Sequence, residues 1–328
     1  MGSIVRSYPC VWPATAYFMK AQNNFRPCQH LFRASLDTAR TFVTHAVGPV
    51  VVPGMRADSL EVAKQLPHLA KVNARLKQNG ILRVSLCFPD NESLYLQELV
   101  RGLHHHYGHC LPIRHSASRG WLWDVRPNPK SFQTPEHQAR SETMESFPWH
   151  TDCSYEQQTP RYFALQVIQN DRFGGGTLSV MNVERLVGAL PQSARDALSQ
   201  PEFEISIPPE FIKDPSRKSI VGSVLSAVKG ERVQRGTNDA VRFRFRDDIL
   251  TPLTARAAAG LAELRQALHL AATPQSDASN LILHLSSTQD MPTGTVLIVD
   301  NTRWLHARNE IADPGRHLRR IRWDAVEF

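Results

Sequence analysis

The sequence has few cysteines, and those present follow no pattern. Five cysteines lie among 328 residues, and no two of them form a C-x-x-C pair. An odd, scattered set in a long chain argues against a disulfide framework and against a zinc ribbon. We expect the cysteines to be reduced and mostly structural.

Long apolar runs are also missing. No stretch of eighteen consecutive apolar residues occurs, and the N-terminal MGSIVRS lacks the apolar segment of a secretory signal. The same residues do not match the myristoylation pattern, because the serine comes one place late, at Ser7. We therefore expect a cytoplasmic protein with no membrane partner.

Acidic residues are in the minority, with 31 Asp and Glu against 38 Lys and Arg and a formal net charge of +7 at pH 7. The basic residues do not form the blocks of five or six like charges that nucleic-acid-binding tails contain. Aromatic residues do not interleave with the densest basic cluster, RHLRRIR at 316–322, as a base-stacking platform requires. We expect a small, anionic partner, and a nucleic-acid-binding module is the alternative from a different class.

Apolar residues, which make up 41% of the chain with Ala, Tyr and Cys included, recur with two periods. Helical spacing predicts helices at 58–80, 94–106, 183–190 and 254–272. Alternating or short apolar runs predict strands at 81–88, 161–169, 176–183, 203–207, 241–246, 280–287 and 295–300. Many short strands and few helices favour a mainly β fold, a sandwich or barrel with flanking helices. We expect one catalytic domain over 1–328, in which an irregular or helical region (1–80) packs on the core (81–328).

Three consecutive histidines, His104 to His106, end the second predicted helix. Consecutive positions on a helix point in different directions, so these side chains cannot converge on one ion. We expect them to be exposed or partly buried residues without a metal.

A different group of residues has the spacing of metal ligands. In FPWHTDCSYE, His150 and Asp152 are two residues apart, so on an extended strand their side chains share one face. A third ligand, His306, follows the strand that ends at Asp300. Two histidines and one carboxylate leave three coordination positions open, which suits iron(II) that activates oxygen. Zinc prefers a closed tetrahedral site or one open position.

Two further motifs flank these residues. After His306, the alternation in GRHLRRIRW predicts that Arg316, Arg320 and Arg322 share one face of a strand, where a guanidinium can hold a carboxylate bidentately. Upstream, a run of glycines at 174–176 precedes Thr177. Glycine permits a tight turn, and the threonine hydroxyl can donate to a carboxylate.

The order of these motifs, HTD, then GGGT, then a late histidine followed by RHLRR, resembles the taurine dioxygenase and clavaminate synthase (TauD/TfdA-like) family. The resemblance runs from about Gly80 to the C-terminus and is specific from Arg140 onward. The segment ARSETMESFPWHTDCSYE is also similar to members from fungal specialised (secondary) metabolism. The resemblance implies a double-stranded β-helix (jelly-roll) core and a non-haem oxygenase that uses Fe(II), 2-oxoglutarate and O2.

By the same resemblance, His150, Asp152 and His306 are the catalytic metal ligands. Thr177 would contact 2-oxoglutarate, Arg316 would bind its distal carboxylate, and Arg320 would meet an anionic substrate. Gly176 stands where some members have aspartate, so this loop differs from theirs. Because the segment between His306 and Arg316 is slightly short for the family, the two arginines could exchange roles.

The function implied is oxidation of a small organic substrate, a carboxylate or an amino-acid derivative, by hydrogen abstraction. Hydroxylation, desaturation and ring closure remain open as outcomes, whereas Asp152 disfavours halogenation because it fills the position that a halide needs. One alternative keeps the fold and the metal but uses no 2-oxoglutarate, in which case Arg316 and Thr177 would be idle. The sequence does not identify the substrate or the oligomeric state.

Overall fold

The structure is a computed structural model, which describes residues 51–113, 120–128, 130, 132–134, 137–232, 239–273 and 281–328. Most of the predicted N-terminal region (1–80) lies outside these residues, and so do Cys10 and Cys28. The single domain over 1–328 and the cytoplasmic location stay predictions. None of the helices in the described part of the chain is long and apolar enough to cross a membrane.

The described residues form five α-helices: α1 (Leu66–Asn79), α2 (Leu94–Tyr107), α3 (Val183–Ala189), α4 (Gln192–Leu198) and α5 (Ala255–Ala272). The helix predicted at 58–80 is partly wrong, since a 3₁₀ turn at Leu60–Lys64 precedes α1 and extended Gln65 separates the two. Pro67 has no N–H to donate, so it fits the first turn of a helix and not the interior. The other three predicted helices are present as α2, α3 and α5, and α4 was not predicted.

Strands make up most of the regular structure. They are β1 (Gly54–Ala57), β2 (Ile81–Leu86), β3 (Leu122–Val125), β4 (Phe147–His150), β5 (Gln158–Gln169), β6 (Leu178–Asn182), β7 (Phe203–Ser206), β8 (Ser219–Gly222), β9 (Leu225–Arg232), β10 (Asp239–Phe243), β11 (Leu250–Pro252), β12 (Ile282–Leu285), β13 (Thr295–Asp300), β14 (Trp304–Arg308) and β15 (His317–Glu327). All seven predicted strands overlap one of these, and the mainly β class with flanking helices is confirmed.

One predicted strand, 241–246, ends early. β10 stops at Phe243, and the chain then turns from β9 towards β4. There the N–H of Phe245 donates to Thr151 Oγ1, and the N–H of Thr151 donates to the Phe245 carbonyl. The apolar alternation continues through this change of partner, so the sequence pattern does not reveal it.

Two sheets form the centre of the molecule. The larger has the order β1-β2-β13-β5-β15-β3, and its pairs are antiparallel except for β1 with β2. The smaller, β12-β6-β14-β4, is antiparallel throughout. Phe163 and Leu297 of the larger sheet share one buried apolar cluster with Val180 and Trp304 of the smaller. The two sheets therefore pack face to face, with this cluster between them.

Helices cover the remaining apolar faces. Ala164 and Ile298 point to the opposite face of the larger sheet and pack in a second cluster with Leu69 of α1 and Leu99 of α2. A third cluster joins α3, α4 and α5 to β7 and its neighbours. The strand period of two explains this division, because alternate residues of β5 and β13 serve opposite faces.

The histidines at the end of α2 are exposed, as expected from their spacing. His109, which follows the helix, is buried instead. It stacks on Tyr162 and accepts a hydrogen bond at Nδ1 from the Trp323 indole. It is thus a buried residue that packs against the larger sheet.

We expect Leu297→Ala to lower the free energy of unfolding by about 2–5 kcal/mol, because Leu297 is fully buried between two paired strands. Denaturant titration measures the change. Leu253→Ala is the matched control, since this leucine is 51% exposed and its loss should change stability by less than about 0.5 kcal/mol. Equal effects of the two substitutions would contradict the assignment of Leu297 to the inter-sheet core.

Candidate metal centre

The pairing of β4 with β14 brings two histidines together. His150 ends β4, and its Cα partner across the ladder is His306 of β14. Both side chains are buried, and their ring centroids are 4.1 Å apart. Residues directly opposite in an antiparallel pair project to the same face, so both imidazoles point to one side of the smaller sheet.

Asp152 completes the group from the segment just beyond β4. Its Oδ1 lies 3.9 Å from His150 Nε2 and 3.7 Å from His306 Nε2. One atom from each residue can be chosen so that all three lie within 4.8 Å of one another, and no other such group of histidine, cysteine and carboxylate side chains occurs in the described ranges. The three residues singled out in the sequence therefore come together in an arrangement that can hold a metal ion.

The backbone of Asp152 is fixed by a residue that the sequence did not single out. Asn301 Oδ1 accepts the N–H of Asp152 at 2.7 Å, and Asn301 Nδ2 donates to the Asp152 and Pro160 carbonyls at 3.0 and 2.9 Å. Asn301 is buried at the end of β13. It therefore connects the segment that carries Asp152 to the central strands of the larger sheet.

His150 is oriented by its second ring nitrogen. Nδ1 lies 2.8 Å from the Pro148 carbonyl, which can only accept, so we assign the proton to Nδ1 and the free lone pair to Nε2. Burial, together with His306, lowers the pKa of His150 well below its ordinary value. A neutral imidazole with a free lone pair is the form that binds a metal. The ring also stacks on Phe147, with centroids 3.7 Å apart.

Asp152 carries its negative charge in a buried place. Burial alone would raise its pKa, but Arg320 and His306 hold that pKa well below its usual range. Arg320 Nη1 donates to Oδ1 at 3.0 Å. The other carboxylate oxygen, Oδ2, is buried and has no hydrogen-bond partner among the described residues. Two imidazoles, an ionised carboxylate and this unsatisfied oxygen fit an iron(II) site with open positions.

Arg316 lines a different cavity from Arg320 and Arg322. β15 begins at His317, and the register of its pairing with β5 shifts between His317 and Leu318. The extra residue of this bulge is Ile168 on β5, because His317 pairs with Gln169 and Leu318 pairs with Val167, so the alternation along β15 is not interrupted. Leu318, two residues from Arg316 and two from Arg320, lines the cavity of Arg316, whereas Arg320 and Arg322 line the other cavity together with His150 and Asp152.

Arg316 is buried and incompletely satisfied. Its Nη1 has no hydrogen-bond partner within the described part of the chain, and burial together with Arg308 lowers its pKa to about 9. Gly176 lies against it with a φ of +65°, and a Cβ at this position would meet Arg316 Nε at 2.7 Å. Thr177 follows, half-buried, and its carbonyl accepts the N–H of Asn309. The glycine turn thus leaves room for the guanidinium, which can receive a carboxylate.

Asp171 joins the two loops around Arg316. Its carboxylate accepts N–H bonds from Phe173 and Gly175 on one loop and from Ala312 and Asp313 on the other. These bonds fix the chain that leads into Arg316. The sequence signal was weak, since an aspartate before a glycine run is common in turns.

The sequence matches the model of a known protein family. The model described as "Taurine catabolism dioxygenase TauD, TfdA family" matches residues 67–322, which is most of the chain and includes every residue of the metal centre. The chain belongs to the TauD/TfdA dioxygenase family. The sequence-based expectation of an Fe(II)- and 2-oxoglutarate-dependent oxygenase is confirmed at this level.

Solved structures similar to this TauD/TfdA dioxygenase share its fold at low sequence identity. An asparagine oxygenase in complex with Fe(II), 3-hydroxyasparagine and succinate is 16% identical, with a TM-score of 0.60 over 83% of this chain and 93% of that one. The non-haem iron oxygenase OrfP in complex with Fe and alpha-ketoglutaric acid is 14% identical, with a TM-score of 0.56 over 82% and 93%. No curated protein matches the sequence.

For this dioxygenase we expect Asn301→Ala to weaken Fe(II) binding about 10- to 100-fold, because the substitution removes the bonds that hold the Asp152 backbone. Anaerobic titration with Fe(II), followed by calorimetry, measures the affinity. Asn91→Ala, at an exposed position, is the control and should leave Fe(II) affinity unchanged. A variant of Asn301 that loses stability but binds Fe(II) normally would show that the residue supports only the fold.

Proposed function

We propose that this dioxygenase oxidises a small carboxylate or amino-acid-derived substrate at an iron(II) ion held by His150, Asp152 and His306. The observation that carries the proposal is the convergence of these three buried side chains. His150 and Asp152 also line a cavity, and Arg320 in the same lining supports an anionic group on the substrate.

We also propose that the two central sheets form the double-stranded β-helix that the family implies. Their shared apolar cluster supports this, as does the similarity of the fold to the iron oxygenases described above. In this arrangement β4 and β14 carry the two histidine ligands from one sheet, Asp152 follows β4, and β15 contributes Arg320 from the other sheet.

Arg316 is the residue proposed to bind the distal carboxylate of 2-oxoglutarate, with Thr177 beside it. Its buried Nη1 has no hydrogen-bond partner among the residues that the structure describes, and a carboxylate would supply both the hydrogen bonds and the charge. Arg320 donates to Asp152 at the metal centre, which supports its assignment to the prime substrate and not to the far end of the cosubstrate. The separate cavities of the two arginines therefore favour Arg316 for 2-oxoglutarate and Arg320 for the prime substrate over the exchanged roles.

When bound, iron(II) and 2-oxoglutarate supply the oxidising power that removes a hydrogen atom from a substrate carbon. The protein's own residues bind and orient the reactants. Asp152 stays ionised because Arg320 lies beside it, and His150 keeps its proton on Nδ1. The burial of all three ligands limits access of water to the reacting centre.

An amino-acid derivative is supported as substrate by two neighbours of the fold. Besides the asparagine oxygenase, OrfP has been solved with succinate and (3R,4R)-dihydroxy-L-Arg, at 12% identity and a TM-score of 0.56. Both molecules carry an α-carboxylate, which a guanidinium such as that of Arg320 recognises bidentately.

We expect His150→Ala, Asp152→Ala and His306→Ala each to abolish turnover, since losing one of three protein ligands leaves a weak site. Succinate formation and anaerobic Fe(II) titration are the measurements. His104→Ala is the matched control, because His104 is exposed on α2 and does not belong to the group of three proposed ligands. Near wild-type succinate production by any one of the three variants would refute the proposed ligand set.

We expect Arg316→Ala to raise the apparent KM for 2-oxoglutarate by on the order of 10- to 100-fold, the effect of losing a bidentate charged contact. Arg320→Ala should instead weaken the binding of the prime substrate. Decarboxylation of 2-oxoglutarate without substrate oxidation should remain detectable in this variant. Steady-state kinetics with both substrates in both variants separates the roles. If Arg320→Ala carries the 2-oxoglutarate defect and Arg316→Ala does not, the assignment is reversed.

A glycine pair provides a control for the position of Arg316. Gly176→Ala should reproduce part of the KM increase, because the added Cβ meets Arg316 Nε. Gly174 has a φ of +86° but has no atom within 4 Å of the corresponding Cβ, so Gly174→Ala adds backbone strain without the collision. Equal KM values in the two variants would mean that strain alone, and not the displaced guanidinium, causes the defect.

A further inference from the structure

We propose that Arg308 is a positioning residue for 2-oxoglutarate, and that its charge attracts the distal carboxylate of the cosubstrate into the cavity of Arg316. The inference rests on the proposed function, in which Arg316 binds that carboxylate. Arg308 lies two residues after the proposed ligand His306, and the sequence motifs gave it no role.

The pairing of β14 places Arg308 between the two cavities of the site. Its Cα partners are Phe147 of β4 and Leu178 of β6. Residues directly opposite in an antiparallel pair project to one face, so these three side chains form a row on the face that carries His306. Phe147 lines the cavity of the metal ligands, and Leu178 lines the cavity of Arg316. Arg308 therefore lies at the boundary between the metal centre and the proposed cosubstrate pocket.

The hydrogen bonds of Arg308 satisfy its donors but do not neutralise its charge. The side chain is buried, and its Nη2 donates to the carbonyls of Glu145 and Thr143 at 2.8 and 3.4 Å. Its Nη1 donates to the carbonyl of Asn309 at 3.4 Å. The side chains of Glu145 and Glu310, the acidic residues closest in sequence to these carbonyls, are exposed, and water screens their charge. The buried guanidinium therefore keeps a net positive charge.

The charge of Arg308 acts on Arg316. Burial and Arg308 lower the pKa of Arg316, whereas Asp171 raises it. The Asp171 carboxylate already accepts four backbone N–H groups, which compensate part of its charge. Two like charges in a buried place are costly, and an anion bound beside them relieves that cost. Arg316 Nη1, which has no hydrogen-bond partner among the described residues, is the donor that such an anion would meet.

Backbone hydrogen bonds fix the position of Arg308 relative to this cavity. The N–H of Asn309 donates to the Thr177 carbonyl at 3.2 Å, and the N–H of Gly176 donates to the Glu310 carbonyl at 2.8 Å. Gly176 itself lines the cavity. The segment after Arg308 is therefore joined to the glycine loop that surrounds the proposed cosubstrate carboxylate.

2-Oxoglutarate suits this arrangement because its second carboxylate lies at the end opposite the 2-oxo acid group. Arg316 can hold that carboxylate by two N–H groups. Arg308 does not line the cavity, so its contribution is the attraction between charges, which burial protects from screening. A substitution that keeps the charge of Arg308 should therefore keep most of its effect.

Replacing Arg308 by a neutral and by a cationic residue tests this charge. Anaerobic protein loaded with Fe(II) is titrated with 2-oxoglutarate by calorimetry. We expect Arg308→Gln to raise the Kd for 2-oxoglutarate about 10-fold, because the amide can donate to a carbonyl but carries no charge. Arg308→Lys should stay within about 3-fold of the wild-type Kd, since lysine keeps the charge although it lacks the planar fork. An unchanged Kd in Arg308→Gln, or an equal rise in both variants, would overturn the proposal.

Arg244→Gln is the matched control for the loss of a buried arginine. Arg244 is also buried, and it donates to the carbonyls of Ser223 and Glu156 at 3.0 and 3.1 Å. It lines neither of the two cavities. We expect this variant to lower thermal stability and to leave the Kd for 2-oxoglutarate unchanged. A rise equal to that in Arg308→Gln would attribute the effect to lost stability and refute the role of Arg308.

Two further measurements separate the possible failures. If Arg308 only holds the segment before β4, both of its variants will weaken Fe(II) binding in the absence of 2-oxoglutarate, and the Kd for 2-oxoglutarate will rise equally in both. If Arg308→Gln does not fold, Arg308→Lys decides, because a rise beyond about 3-fold in this cationic variant contradicts the proposal.

Arg316→Ala is titrated in the same series, because the inference depends on its assignment. An unchanged Kd in Arg316→Ala would refute the proposed role of Arg316 and, with it, the inference. A defect in Arg316→Ala with none in Arg308→Gln would refute the role of Arg308 alone.

Discussion

The register between β4 and β14 is the constraint on which the metal centre depends. It places His306 opposite His150, and a shift of one residue would turn one of the imidazoles to the other face of the sheet. The packing on both faces of β14 resists such a shift, since Trp304 would leave the cluster between the sheets and Leu305 would leave the cluster on the opposite face. The apolar core and the chemistry therefore depend on the same alignment, and the fold cannot keep one without the other.

Asp152 is the point at which the two sheets influence each other electrostatically. It is carried by the segment beyond β4, held by Asn301 just after β13, and paired with Arg320 of β15. Its charge helps to balance the metal on one side and the arginines on the other. A substitution of Asn301 or Arg320 would change the position or the charge environment of the Asp152 carboxylate. We therefore expect the affinity for the substrate and the affinity for the metal to be linked.

Local parts of the site could be predicted because they follow from strand geometry. Arg320 and Arg322 line one cavity, as the period of two along β15 requires. Asp152 meets His150 as predicted, although it lies in a turn beyond the end of β4. His306 lies 156 positions after His150, so the sequence pattern could name it as a candidate ligand but could not show that the two side chains meet. The alternation through Leu318 relates Arg316 to Arg320, but it could not show that the two guanidinia line different cavities.

The close approach of Gly176 to Arg316 also constrains how such loops can be exchanged between relatives. A larger side chain at position 176, such as the aspartate found in some members, requires the guanidinium to follow a different path. Substitutions at position 176 and at Arg316 are therefore expected to be coupled, although about 140 residues of chain separate the two positions. A chimaera that takes the loop from one relative and the arginine segment from another could place a side chain where the guanidinium lies. A chimaera that takes both segments from the same relative would keep their contact.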